Sequence, residues 1–302
     1  GCVLVKGEQV VGEGWHVQAG EGHAEVNALA QAGEQARGAT AYVTLEPCSH
    51  VGKTPPCADA LIAAGVSRVV AAMQDPNPLV AGNGLQRLRD AGIEVTCGLL
   101  EEQARELNPG FIKRMQLGLP WVRVKLAMSL DGRTAMASGE SKWITGPAAR
   151  ADVQRLRARS GAVISGADSV LLDDSALTVR ASELGLSDEE ASAAVQRQPL
   201  RVLIDSLRRV PLEQRFFRES GPTLVISTSA EQAAESYQSI GSELLALPGD
   251  DGKVDLPTVL RTLAERGCNE VLVEAGAALS GAFWRAGLVD ELIVYMAPRL
   301  LG

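Results

Sequence analysis

The sequence predicts two successive α/β domains, and three observations carry that expectation. The 302 residues are about twice the length of an ordinary domain. Strand-like and helix-like runs alternate along both halves, the pattern of layered α/β architecture. A short break, "LGLP" at 117–120, interrupts the alternation near the middle, so we expect domains over 1–118 and 119–302.

In the first half, "CVLV" and "QVVGEGW" read as a hairpin around Lys6-Gly7. Residues 23–36 are rich in Ala, Glu and Gln and predict a helix, and "ATAYVTL" (39–45) predicts a strand. "CADALIAAG" (57–65) reads as a helix stopped by Gly65, then comes strand "SRVVAAM" (67–73) and turn "DPNP" (75–78). "GLQRLRDAG" (84–92) is a helix closed by Gly92, followed by strand "IEVTCGL". Residues 101–118 begin with acids and end with Lys113 and Arg114, as a helix macrodipole favours, and predict one helix. In the second half, strand 121–129 opens the pattern, and helix 147–159 starts at Pro147, a permitted first-turn position. Strands follow at 162–165, 201–205, 223–227 and 270–274, then helix 278–287 and strand 291–297. The polar stretch 181–198 reads as a surface insertion.

Net charge is -8 with a pI near 5.1, which speaks against a general nucleic-acid binder. No apolar run reaches the ~18 to 20 residues of a membrane span, and no signal peptide opens the chain. Five scattered cysteines do not make a secreted disulfide scaffold, so a cytoplasmic setting is expected. The chain starts inside one strand-like run and stops just after another, which suggests a fragment.

The informative stretch is "LEPCSHVGKTPPC" (45–57), with Cys48 and Cys57 in a proline-stiffened loop. Upstream, "HAE" places His23 two residues before Glu25 at a helix start. One imidazole and two thiolates form a borderline-soft set suited to Zn²⁺, with room for a water in the fourth position. A coordinated water has its pKa lowered towards ~7. A carboxylate beside it, Glu25, can then shuttle protons; this is the zinc-deaminase pattern. Either motif alone could be accidental, as an isolated H-x-E or two unpaired thiols. Cys2, Cys97 and Cys268 have no such company and are expected to be buried apolar residues.

The usual deaminase spacing is C-x-x-C; eight residues separate the cysteines here. That form resembles the deaminase half of the bifunctional riboflavin-biosynthesis deaminase–reductases. In the second half, "SLDGRTA", "SGESKWIT", "DDSALTVR" and "VEAG" resemble the reductase half of the same family. The resemblance implies a cytidine-deaminase-like three-layer αβα domain followed by a dihydrofolate-reductase-like α/β domain. It implies zinc on His23, Cys48 and Cys57, with Glu25 as proton shuttle. His16, His50, Lys53 and Thr54 are candidates for the deaminase substrate, a phosphoribosyl pyrimidine. Ser141, Arg157, Leu177, Arg180 and Glu274 match the reductase substrate positions. Arg157 and Arg180 have the guanidinium fork suited to phosphate. Ala127, Trp143, Ser169, Asp173 and Ser206 match positions for NADPH, together with the turn Gly276, Ala277, Ala278, Leu279, Ser280, Gly281 and Ala282. Lys125 and Asp131 are further catalytic candidates. A homo-oligomer, a dimer through the reductase domain or a tetramer, is implied, with no nucleic-acid or membrane partner.

Two other readings stay open on the sequence. One is a zinc deaminase for another nucleoside or for tRNA, carrying an unrelated second domain. The other is a structural zinc site with a fourth protein ligand in place of water.

Overall fold

Glycines decide how tightly the first layer packs. A Cβ on Gly14 would lie 2.3 Å from the Ala24 carbonyl oxygen, so only glycine lets the strand carrying it touch the helix that follows. This computed structural model describes residues 1–52, 54–136, 144–231 and 233–302. Lys53, Ser141 and Trp143 lie outside the described residues. The chain divides into two units, Gly1–Gln116 and Leu117–Gly302.

The first unit holds β1 (Cys2–Lys6), β2 (Gln9–Gly14), α1 (Ala24–Ala32), β3 (Thr40–Val43), α2 (Cys57–Ala64), β4 (Arg68–Ala71), α3 (Asn83–Asp90), β5 (Glu94–Cys97) and α4 (Glu101–Leu107), and α5 (Pro109–Leu117) closes it. The sheet order is β2-β1-β3-β4-β5. β1 runs antiparallel to β2 and β3, and the rest is parallel. Ala24, Ala28 and Ala32 of α1 join Leu61 of α2 and Leu88 of α3 over one sheet face. On the other, α4 covers one end, beside an apolar groove of about 580 Å³ lined by Trp15, Tyr42, Leu100 and Leu107. The single helix expected over 101–118 is broken at Asn108-Pro109, because proline has no N–H to donate and restricts its predecessor.

The second unit holds β6 (Trp121–Ser129), α6 (Pro147–Arg159), β7 (Ala162–Gly166), α7 (Ala167–Asp173), α8 (Asp188–Gln196), β8 (Leu200–Ile204), α9 (Arg215–Arg218), β9 (Thr223–Ser227), α10 (Ala234–Ser239), β10 (Ser242–Ala246), α11 (Leu256–Glu265), β11 (Glu270–Glu274), α12 (Ala277–Arg285) and β12 (Glu291–Ala297). Its seven strands are all parallel, in the order β10-β9-β8-β7-β11-β6-β12. Val259 and Leu263 of α11 and Phe283 of α12 pack one face, and Leu156, Val170 and Phe216 pack the other. The "insertion" of 181–198 contains α8, started by a Ser187–Glu190 capping box. α7, α9, α10, α11 and β10 are elements that the sequence pattern did not show. Between β7 and β11 the chain order reverses, and helices α7 and α12 follow those strands on opposite faces. Ligands of open α/β sheets bind at such a switch point, outside the carboxyl ends of the strands.

Candidate active sites

In the first unit, His23 is the N-cap of α1 and Cys57 the first residue of α2. His23 Nδ1 lies 3.6 Å from Cys48 Sγ and 3.2 Å from Cys57 Sγ. All three donor atoms fall within 4.8 Å of one another. Tetrahedral zinc with bonds of about 2.0 Å to nitrogen and 2.3 Å to sulfur holds such atoms about 3.6–3.8 Å apart, so the donor set fits the ion. All five cysteines are free thiols.

The backbone N–H of Cys57 donates to Cys48 Sγ at 3.3 Å. The hydrogen bond from the Cys57 thiol and that N–H bring the Cys48 pKa down to about 5. Cys57, donating to Cys48 and buried, is pushed up. Without metal the pair therefore shares one proton. Glu25 is 7 % exposed and lies against the Cys57 thiol; burial raises its pKa.

Glu46 holds the ligand loop, a role that sequence reasoning missed. Its buried carboxylate accepts from the backbone N–H groups of Asp75 (3.1 Å), Gly82 (2.8 Å), Gly84 (2.8 Å) and Leu85 (3.2 Å), tying the segment before Cys48 to the start of α3. A Cβ on Gly84 would sit 1.9 Å from the Pro47 carbonyl oxygen. An acid between Leu45 and Pro47 was the only sequence signal of this.

His16 is exposed, its ring 5.1 Å from that of His23, so the structure brings it to the metal group. His50 and Thr54 lie on the loop between the two thiols, and the Thr54 carbonyl accepts from Gly52 N–H at 3.3 Å. Asn27, another unforeseen residue, fastens the His16 loop by donating to the carbonyls of Trp15 (2.7 Å) and Gly22 (3.2 Å). Cys97 corrects an expectation: it is exposed, while Cys2 and Cys268 are buried. Burial takes Cys2 up to about 12.

In the second unit, Lys125 and Glu274 are register partners on β6 and β11. Arg157 of α6 donates to both oxygens of Glu274, at 2.9 Å from Nη2, and to the Thr178 carbonyl at 3.0 Å. Burial alone would raise the Glu274 pKa, but Arg157, with Lys125 and Arg180 behind it, holds the carboxyl below its ordinary value. The Arg157 fork is turned to Glu274. Arg180 pairs with Glu183 at 2.7 Å and is partly exposed. Leu177, buried, has φ +58°, a left-handed conformation costly for a branched side chain. Asp131 is no free acid. It accepts from the Ser129 hydroxyl and from the N–H groups of Leu301 (3.1 Å) and Gly302 (3.0 Å), and the Ser129 bond brings it down to about 2.

A cavity of about 630 Å³ opens at the carboxyl ends of β7, β8 and β11. Of the expected cofactor positions, Ser169, Ser206, Gly276, Ala278, Leu279 and Ala282 line it. Ala127, Asp173, Ala277, Ser280 and Gly281 do not; Ser280 turns back to donate to the Ala275 carbonyl at 3.2 Å. Ser169 Oγ accepts from Gly276 N–H at 3.0 Å, joining the starts of α7 and α12. Asp205 is among the residues lining the cavity, and its Oδ1 is buried without a hydrogen-bond partner. Arg209, Lys253 and Arg285 add positive charge that sequence reasoning did not anticipate.

Residues 1–73 match the cytidine and deoxycytidylate deaminase zinc-binding region, and residues 120–302 match the RibD C-terminal domain. The riboflavin biosynthesis protein RibD of Escherichia coli is 56% identical over 306 residues, covering all of this chain and 82% of that protein. The chain belongs to the RibD family. Among solved structures, Acinetobacter baumannii RibD superposes with a TM-score of 0.90 at 53% identity, over all of this chain and 80% of that one. A Thermotoga maritima diaminohydroxyphosphoribosylaminopyrimidine deaminase/5-amino-6-(5-phosphoribosylamino)uracil reductase gives 0.84 at 35%, with the same coverage. RibD proteins are bifunctional deaminase/reductases of riboflavin biosynthesis, and this chain is one, with a zinc-binding deaminase region and an NADPH-dependent reductase domain. The RibD match over 120–302 also disposes of the reading in which the second domain is unrelated. No helix among the described residues is long and apolar enough to cross a membrane.

Proposed function

We propose that residues 1–118 deaminate 2,5-diamino-6-(5-phosphoribosylamino)pyrimidin-4-one. Residues 119–302 then reduce the ribosyl group of the product, 5-amino-6-(5-phosphoribosylamino)uracil, to ribityl. The convergence of His23, Cys48 and Cys57 beside Glu25 carries this reading.

His23, Cys48 and Cys57 would hold the zinc, which when bound would make a water acidic enough to attack at neutral pH. The rest falls to the protein's side chains. Glu25, inclined by burial to hold a proton, takes one from the attacking water and gives it to the departing amino group, so that ammonia leaves as the ring carbonyl forms. His16, fastened through its loop by Asn27, and the 48–57 loop with His50, Lys53 and Thr54 surround the substrate.

In the second unit NADPH, when bound, supplies the hydride. Glu274 is held ionised by Arg157 and accepts from ribose hydroxyls; as the sugar ring opens at its C1′–O4′ bond and C1′ takes the hydride, Lys125 beside it is the proton donor to O4′, which becomes the 4′-hydroxyl. Arg180 exchanges Glu183 for the substrate phosphate, a cheap exchange for a half-exposed pair. Leu177 shapes the pocket wall, and Ser141 contributes a hydroxyl. Trp143, Ala127 and Asp173 stay cofactor candidates on the family resemblance alone. Asp131 serves as a turn anchor and takes no part in the chemistry.

We further propose a cytoplasmic homodimer without nucleic-acid partners. β12 ends the sheet and exposes Leu292, Val294 and Met296, an apolar edge suited to a second copy. Free thiols suit a reducing compartment, and the -8 charge suits small-molecule work.

The test is a coupled assay. Zinc-loaded protein should release ammonia from the diaminopyrimidine phosphate, and only afterwards oxidise NADPH. Metal-loaded protein that releases no ammonia would refute the deaminase assignment. NADPH oxidation on the undeaminated substrate at equal rate would refute the order.

A further inference from the structure

One end of the 630 Å³ cavity is built by the turn after β8. Asp205 is 1 % exposed, and its Oδ2 accepts from Val210 N–H at 2.8 Å. Arg208 N–H donates to the Asp205 carbonyl at 3.2 Å, and Arg208 has φ +54°, outside the usual range for its type. Its guanidinium donates to the Glu231 carbonyl at 2.9 Å. The backbone on both sides of Arg209 is therefore fixed. The Arg209 side chain lines the cavity and pairs with Asp168 of the same cavity at 2.7 Å. Those two side chains are 49 % and 66 % exposed, so the pair is screened and costs little to exchange. Asp205 Oδ1, by contrast, is buried without a partner.

Topology says what part of a ligand reaches this turn. In open parallel sheets a dinucleotide lies across the carboxyl ends of the strands. Its pyrophosphate sits at the helix start on the central strand, and its adenosine ribose beside the end of the adjacent strand. Here the helix starts at Gly166 and Gly276 flank the switch between β7 and β11, and β8 is the neighbour of β7. The ribose thus falls against the turn 205–210. We propose that this turn discriminates a 2′-phosphorylated dinucleotide from an unphosphorylated one. Arg209 exchanges Asp168 for the 2′-phosphate, and Asp205, buried and accepting from Val210 N–H, holds the turn that presents Arg209. The inference rests on the NADPH reading and adds to it the residues that choose the cofactor.

Two other cations line the cavity. Lys253 pairs with Asp251 at 3.4 Å and is 76 % exposed. Arg285 lies nine residues beyond Gly276, roughly 13 Å along α12 from the end that meets the pyrophosphate. Neither is held by a buried turn, and Lys253 serves as the control.

The experiment is a titration of the full chain with NADPH and with NADH, read by nicotinamide fluorescence rather than turnover. Arg209→Gln should weaken NADPH about 10- to 100-fold, the range for losing one charge-assisted contact, and leave NADH unchanged. Arg209→Lys should recover part of the loss, Asp168→Asn should tighten NADPH a few-fold, and Lys253→Gln should move both cofactors little. A thermal unfolding transition of the second unit that matches wild type checks that each variant is folded. Equal weakening of NADPH and NADH by Arg209→Gln, an unchanged NADPH affinity, or a selective loss in Lys253→Gln instead would overturn the proposal. If wild-type protein binds neither nucleotide, the NADPH reading fails first and this inference with it.

Discussion

Glu25 and Glu274 are both acids at the edge of a site, and burial acts on both, yet with opposite results. Around Glu25 stand His23, Cys48 and Cys57, and its pKa is raised. Around Glu274 stand Arg157, Lys125 and Arg180, and its pKa is lowered. The first cluster gathers two thiols and an imidazole beside the acid, a donor set that fits a metal. The second neutralises itself and stands without a ligand. Burial prevails at Glu25, whereas the guanidinium of Arg157 outweighs it at Glu274.

Neutralising each acid separates the two cases. Glu25→Gln should keep zinc and lose about 10²- to 10⁴-fold in ammonia release, the usual worth of a positioned acid–base group. Its stability without metal should hold or rise. A raised folded pKa means that the neutral form contributes stability present below the ordinary value near ~4.3 and lost as pH rises through the folded value; glutamine restores that form. Urea unfolding at pH 7 in chelator checks this, and a clear drop in stability would remove the contrast. Glu274→Gln should instead destabilise the second unit by about 3–5 kcal/mol, because it strands the buried Arg157 charge. Here the folded pKa is depressed, so the contribution is present above ~4.3 and lost as pH falls through the folded value. Unfolding curves of wild type and variant should therefore converge in acid.

Smaller effects refine the comparison at the metal site. Glu46→Gln puts an amide N–H₂ against backbone donors, and should weaken zinc about 10- to 100-fold in a chelator competition, as loss of a ligand's supporting bonds does. Reductase turnover should be unaffected. Gly84→Ala should do the same through the Pro47 carbonyl. Finally, zinc affinity should rise about tenfold per pH unit near neutrality. Cys48 already loses its proton near pH 5, so only the Cys57 proton remains to be expelled. A slope of two decades per unit would mean that both thiols are protonated in the metal-free protein.

The two sites differ in how far they could be read from residues alone. The zinc ligands sit in two short motifs, each at a helix start, and local chemistry identifies them. The reductase residues come from strand ends that are far apart in sequence. Arg157 and Glu274, 117 positions apart, hold each other, a pairing that no local motif announces. Asp131 looked like a free acid in a turn until the N–H groups of residues 301 and 302 were seen to occupy it. The helix break at Pro109 was legible, but the acid-to-base charge gradient outweighed it.

What the sequence determined by itself was the set of short-range facts: alternating elements, helix starts and stops, and a donor set that only a metal would gather. Those depend on neighbours along the chain. The tertiary structure alone decided which charges cancel, which buried acceptors are left empty and which glycines must be glycine. Glu46 and Gly84 acquire their roles from groups that lie elsewhere in the sequence and meet them only when the sheets and helices close. A charge or a hydrogen-bonding atom has an energy set by its surroundings, and those surroundings exist only after packing.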